Sequence, residues 1–166
     1  MKYELLKDDT KEYAGRILYR IKNIDTGNLG GYIEAEHNLS HMGSCWVHYD
    51  AMVYDDARVH NDAQIIEGRV FDNARIHGKA KIIGSDSKVY GYAEVYDNAE
   101  IRDSEIYGCA EIYGRANIKN SEVRDCAHIQ DALVWDCDID AQIRINGAIR
   151  LEGLRVPMCL ANIGLK

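Results

Sequence analysis

Between residues 51 and 136 the chain repeats itself every 17 residues. A unit that short cannot bury its own apolar face, so successive units must stack on one another. Residues 51–67 read AMVYDDARVHNDAQIIE, and residues 68–84 read GRVFDNARIHGKAKIIG. After Ser85 and Asp86 the pattern resumes as SKVYGYAEVYDNAEIRD (87–103), SEIYGCAEIYGRANIKN (104–120) and a shortened SEVRDCAHIQDALVWD (121–136). Each unit divides into rungs of about six, six and five residues. The second rungs read Ala57-x-Val59, Ala74-x-Ile76, Ala93-x-Val95, Ala110-x-Ile112 and Ala127-x-Ile129.

Successive side chains of a strand point to opposite faces. The small residue and the aliphatic residue two later therefore point together into the axis, while Arg58, His60, Lys81, Glu94, Tyr96, Glu111 and Tyr113 point outward. Each rung ends on Asp, Asn or Gly, the residues that accept positive φ and close tight turns. In chain order these are Asp55, Asn61, Glu67, Asp72, Gly78, Gly84, Gly91, Asp97, Asp103, Gly108, Gly114, Asn120, Asp125, Asp131 and Asp136, with Glu67 the one departure. Three corners per unit predict an all-β, single-stranded parallel β-helix, a triangular prism of three parallel sheets with about 17 residues per coil.

This pattern resembles the hexapeptide-repeat, left-handed parallel β-helix superfamily. Four equal five-residue steps would make a pentapeptide-repeat helix instead, and the six-six-five spacing disfavours it. Crossovers are right-handed by general rule, so the left hand is implied by the resemblance alone. LGGYIE (29–34), NLS (38–40) and GSCWV (43–47), followed by repeats, further resemble a group of bacterial and phage or prophage hexapeptide-repeat proteins, often labelled transferases by analogy of fold.

One domain in three parts is expected. Residues 1–47 form an N-terminal cap and irregular first coil, 48–136 the regular β-helix, and 137–166 a compressed last coil and C-terminal cap. An open coil end exposes a bare strand edge. Residues 3–6 and 16–24 read as a hairpin joined around 8–15, with the first coil spanning 30–47 and Trp46 plugging the cap. Cys137-x-Ile139 and Ala141-x-Ile143-x-Ile145 are compressed rungs, 148–154 a last strand, and Pro157 ends regular pairing. The apolar segment 156–166 folds over the last coil or docks on another subunit.

No apolar run approaches the ~20 residues of a membrane span, and the N-terminus lacks a signal-peptide apolar region. A cytoplasmic protein is expected. Of the five cysteines, 45, 109, 126, 137 and 159, none lies in a CxxC pair. Cys109 and Cys126 stack one coil apart, within disulfide reach, but are expected to be reduced corner fillers in the cytosol.

The superfamily resemblance implies trimeric acyltransferases that use acyl-CoA and a histidine base. If the chain is such an enzyme, His37 and His41, in the irregular EAEHNLSHMG stretch, are the candidates. Only Ser85–Asp86 interrupts the coils, and Lys79, Lys81 and Lys88 are the nearest approach to a basic patch for a cofactor, so neither a catalytic residue nor a cofactor site is expected. A carbonic anhydrase built on the same prism needs three histidines on zinc. The stack of His60 and His77 continues as Tyr96, Tyr113 and Gln130, so no metal site is expected either.

Non-catalytic features are stronger. One outward column reads Tyr54, Phe71, Tyr90, Tyr107, and the next face reads His60, His77, Tyr96, Tyr113, with Tyr92 at the corner between them. Tyrosine is a low-entropy, amphipathic anchor at interfaces. Glu94, Glu111 and Glu122 form a charged rim. Ile66, Ile83 and Trp135 add apolar positions to the third face. The formal net charge is −7, and residues 51–136 carry sixteen Asp and Glu against ten Lys and Arg. Direct nucleic-acid binding needs a basic footprint and is not expected; regular carboxylate rows can instead imitate nucleic-acid phosphate. The sequence therefore reads as a non-catalytic, phage- or prophage-associated binding and assembly protein. It forms a homo-oligomer, trimer or dimer, or docks a protein partner with a basic surface; the alternative is an acyl-CoA-dependent O- or N-acyltransferase.

Overall fold

The structure, a computed structural model, describes residues 1–140, 143–156 and 163–164. It is a parallel β-solenoid of about 17 residues per coil, built from three sheets. The first face runs from Leu29–Ile33 through Met52–Val53, Arg69–Val70, Lys88–Val89, Glu105–Ile106, Glu122–Arg124 and Asp138–Asp140 to Arg155–Val156. The second holds Arg58–Val59, Arg75–Ile76, Glu94–Val95, Glu111–Tyr113, His128–Gln130, Arg144–Asn146 and Ile163–Gly164. The third begins at Trp46–Val47 and ends at Arg150–Glu152.

The expected inside and outside hold through the coils. Val95, Ile112 and Ile129 are successive partners on the second face, and all are fully buried. Burying such aliphatic stacks away from water is the main favourable contribution to stacking the coils. The corners behave as their residue types require. Asp55, Asn61, Asp72, Asp97, Asp103, Asn120, Asp125, Asp131 and Asp136 all have positive φ. The exception at Glu67 resolves by one residue: the turn residue there is Gly68, at φ 87°.

At the N-terminus, β1 (Tyr3–Tyr13) and β2 (Arg16–Asn23) form an antiparallel hairpin, and β2 pairs with β3 (Leu29–Ile33), which starts the first face. The first strand is longer than the sequence pattern indicates. The pairing continues through Thr10–Tyr13 after a register shift, and the turn is confined to Ala14 and Gly15. Tyr3 and Ile21 plug the open end of the core, with Trp46 half-buried and edge-on to Tyr3 at 6.3 Å, so Tyr3 takes the place expected for the tryptophan. The LGG sequence permits close approach of the first coil: a Cβ at Gly31 would stand 2.5 Å from the Ala51 carbonyl oxygen.

Cys109 and Cys126 are joined in a disulfide, with their Cα atoms 4.6 Å apart, which corrects the expectation of free thiols at that corner. Cys45 and Cys137 are buried and free. The last strand of the third face is Arg150–Glu152, inside the expected 148–154. Ala141, Pro157 and Cys159 lie outside the described residues, as does most of the segment 156–166. Among the described residues no helix is long and apolar enough to cross a membrane.

Candidate functional interface

Strand registry places equivalent outward residues one above another at each coil, which turns the sequence columns into ladders. On the first face Tyr54, Phe71, Tyr90 and Tyr107 stack ring on ring, with centroids 5.1, 4.7 and 4.8 Å apart and planes within 6°. On the second face His60, His77, Tyr96 and Tyr113 do the same at 4.8, 5.0 and 5.0 Å, within 4°. Tyr92 stands at the corner between them, 73% exposed. Stacking hides the ring faces against each other, so each ladder offers solvent its ring edges.

The first ladder is capped by its own chain. The β1–β2 hairpin lies over the outside of the first face, where Leu18, Tyr32, Met52 and Tyr54 form a separate buried cluster joined by Tyr13 and Phe71. Tyr13 packs on Tyr54 at 5.8 Å, and the Arg16 guanidinium stands over the Tyr54 ring at 5.4 Å while pairing with Asp55. Tyr54 is thus closed off from any partner, and burial pushes its hydroxyl up from 10.0 to about 12. Below the hairpin, the Tyr90 hydroxyl donates to Glu105 at 2.7 Å and the Tyr107 hydroxyl to Glu122 at 2.6 Å. Burial first, and then these carboxylates, raise both phenols above their ordinary range. The bond from Tyr107, reinforced by Arg124, holds Glu122 below the usual carboxylate range. Arg124 also reaches Asp138 and Asp140, an ion-pair centre that the sequence columns did not single out.

The second face remains open. Its inner column of outward residues is Arg58, Arg75, Glu94, Glu111, His128 and Arg144, each a registered partner of the next. His77 meets Glu94 at 2.8 Å and His128 meets Glu111 at 3.1 Å. Burial, and secondarily the Glu111 charge, carry Tyr96 from 10.0 to about 12. On the third face Ile66 and Ile83 are half-buried, and the Arg150 guanidinium covers the Trp135 ring at 4.5 Å.

At the corner between the third and first faces lies an open groove of about 630 Å³. Asp86, Asp103, Glu105, Glu122, Asp136 and Asp138 line it, with Arg155 at its end. A second groove of about 580 Å³ lies at the cap, between Lys2, Asn28, Trp46 and His48.

His37 and His41 serve the cap. The His41 ring stacks on Tyr3 at 4.2 Å; its Nδ1 accepts the Lys2 amide at 3.2 Å and its Nε2 donates to Glu36 at 2.8 Å. The His37 Nε2 donates to the Asp55 carbonyl at 2.8 Å. Neither histidine lines either groove. Between them sits the residue whose role the sequence hid. Asn38 is fully buried, its amide donating to the Asp55 and Ala57 carbonyls at 2.8 and 2.9 Å and its oxygen accepting from Ala35 at 2.8 Å. His60 and His77 lie flat on one another, and among the described residues no group of three His, Cys, Asp or Glu is placed to hold a metal ion. No protein-family model matches this chain, and no curated protein matches it.

Proposed function

We propose that this chain is a non-catalytic binding and assembly protein that associates with itself through the stacked aromatic and charged ladders of its outer faces. The observation that carries this is the second-face ladder, four half-buried rings with their edges toward solvent, beside a column of ordered charges. Rigid aromatic edges with polar tips lose little entropy on docking. The engagement of the His37 and His41 ring nitrogens in cap hydrogen bonds further supports a structural rather than a catalytic use. The N-terminal resemblance extends the proposal to a phage- or prophage-borne protein.

The test is Tyr107→Glu combined with Tyr113→Glu, followed by sedimentation velocity and circular dichroism. Both side chains point outward, so the β-sheet spectrum should be retained while the oligomer dissociates. An oligomer unchanged by the double substitution overturns the assignment to these ladders. Calorimetry with millimolar coenzyme A should give no binding heat; saturable binding overturns the non-catalytic reading in favour of an acyltransferase.

A further inference from the structure

Arg58 and Arg75 are registered partners one coil apart on the second face, and Glu94 and Glu111 are partners directly below them. Like charges directly opposite each other in a sheet destabilise it. This face therefore sets two arginines together and two glutamates together. Both arginines are exposed, and neither has an ion-pair partner among the described residues. The order Arg, Arg, Glu, Glu is its own complement when reversed.

The face is also flat. Open sheets ordinarily twist by roughly 20° or more per strand, but here the rings of successive rungs stay parallel within 3–4°. Two flat faces hold register over several rungs, which twisted ones do not.

From these observations, and resting on the self-association reading above, we propose that the second face is a two-fold, antiparallel interface between two copies of this chain. A two-fold axis along the strand direction, between the Arg75 and Glu94 rungs, reverses the order of rungs and sets each column opposite itself. Arg58 then meets Glu111 of the other copy and Arg75 meets Glu94, each pair made twice by symmetry for four in all. In the neighbouring column His60 falls opposite Tyr113 and His77 opposite Tyr96, imidazole nitrogen against phenol hydroxyl. The first face does not work this way. Its column Arg69, Lys88, Glu105, Glu122 has the same order of signs, but those charges are engaged within the chain: Lys88 pairs with Glu105, Arg124 with Glu122, and Arg69 lies over the Tyr13 ring where the β1–β2 hairpin covers the start of the face. A two-fold axis parallel to the solenoid instead places the charged column against the aromatic one and leaves both arginines without a carboxylate.

About six rungs at ~4.8 Å and about five residues at ~3.3 Å give a face of roughly 29 by 16 Å. Two such faces bury on the order of 1,000 Å², the lower bound of a specific interface. An interface of that size is at the reversible end of specific contacts, and its partner choice comes from charge order.

The experiment is a charge-exchange series followed by sedimentation velocity, with circular dichroism confirming that each variant folds. Arg58→Glu with Arg75→Glu makes the column all acidic, and Glu94→Arg with Glu111→Arg makes it all basic. Each alone should dimerise about a hundredfold or more weakly. Mixed one to one, the two should form a heterodimer, and all four substitutions in one chain should restore the homodimer. In the unmodified protein the dissociation constant should rise as salt increases from about 50 to about 500 mM. Weakened variants that fail to pair when mixed overturn the antiparallel order. If the unmodified chain self-associates and both charge variants do so equally well, this interface is wrong while self-association stands. An unmodified chain that stays monomeric overturns both.

Discussion

Ile118→Ala probes the packing of the prism at a point away from the proposed interface. Ile118 is fully buried on the third face, between Ile101 and Val134 as registered partners. Truncation removes three carbons, roughly 2.4 kcal/mol at about 0.8 kcal/mol per buried methylene. The hole cannot close readily, because the backbone on either side is pinned coil to coil: Asn117 donates to Ala132 at 2.9 Å, and Glu100 donates to Ala116 at 2.9 Å. The unfilled cavity adds to the transfer cost, for a total of about 3–4 kcal/mol. In a chain of this size that corresponds to a melting temperature lower by about 6–16 °C. Lys119, the next residue, is exposed, and Lys119→Ala should change stability by less than about 0.5 kcal/mol. Thermal and urea denaturation of the two variants gives the answer. A one-residue slip in a strand exchanges inside for outside. A stable Ile118→Ala beside a destabilised Lys119→Ala would therefore refute the register from which every outward column is read.

Asn38→Ala strands the buried Ala57 carbonyl and the Ala35 amide, while the Asp55 carbonyl keeps its bond from His37, so it should lose about 2 kcal/mol or more in thermal denaturation; an unchanged melting temperature would show that the cap does not depend on it. Tyrosine sets an alkaline limit. An unfolded phenol ionises near 10.0, whereas Tyr96 is held at about 12 and Tyr90 is raised in the same direction. Because the folded chain keeps protons that the unfolded chain has lost, stability is full below pH 10.0 and falls as pH rises through about 12. Near-ultraviolet phenolate absorbance followed alongside circular dichroism tests this, and phenols titrating near 10.0 in the folded protein would contradict it. Reducing Cys109–Cys126, which closes a separation of 17 residues, should cost about 3 kcal/mol, and Cys109→Ser should match the reduced protein; insensitivity of the melting temperature to reductant would rule out a stabilising bridge.

The solenoid was legible because its period is written in residue types with one physical use each. Small residues and Val or Ile face inward, and Asp, Asn or Gly take positive φ at the corners, with the single ambiguity at Glu67 settled by Gly68 beside it. The cap was less so. Thr10–Tyr13 belongs to β1 through main-chain pairing with β2, and an edge strand held by hydrogen bonds need not alternate apolar and polar residues. Tyr54 reads as an outward aromatic, and so it is, but nothing local in the sequence says that the hairpin folds back over it. Asn38 stands in a recognisable NLS segment, yet its three bonds reach carbonyl and amide groups of the main chain, which carry no residue signature. On the second face the glutamates were legible as a rim. Their complement, two arginines one and two coils earlier, becomes visible once the register makes all four a single column.

The central claim, that an outer face of this prism is an interface, is tested most directly by sedimentation equilibrium of the unmodified chain across micromolar concentrations. The account requires a mass that rises with concentration from 18.8 kDa to twice that value and stops there. A mass that stays at 18.8 kDa throughout would contradict it.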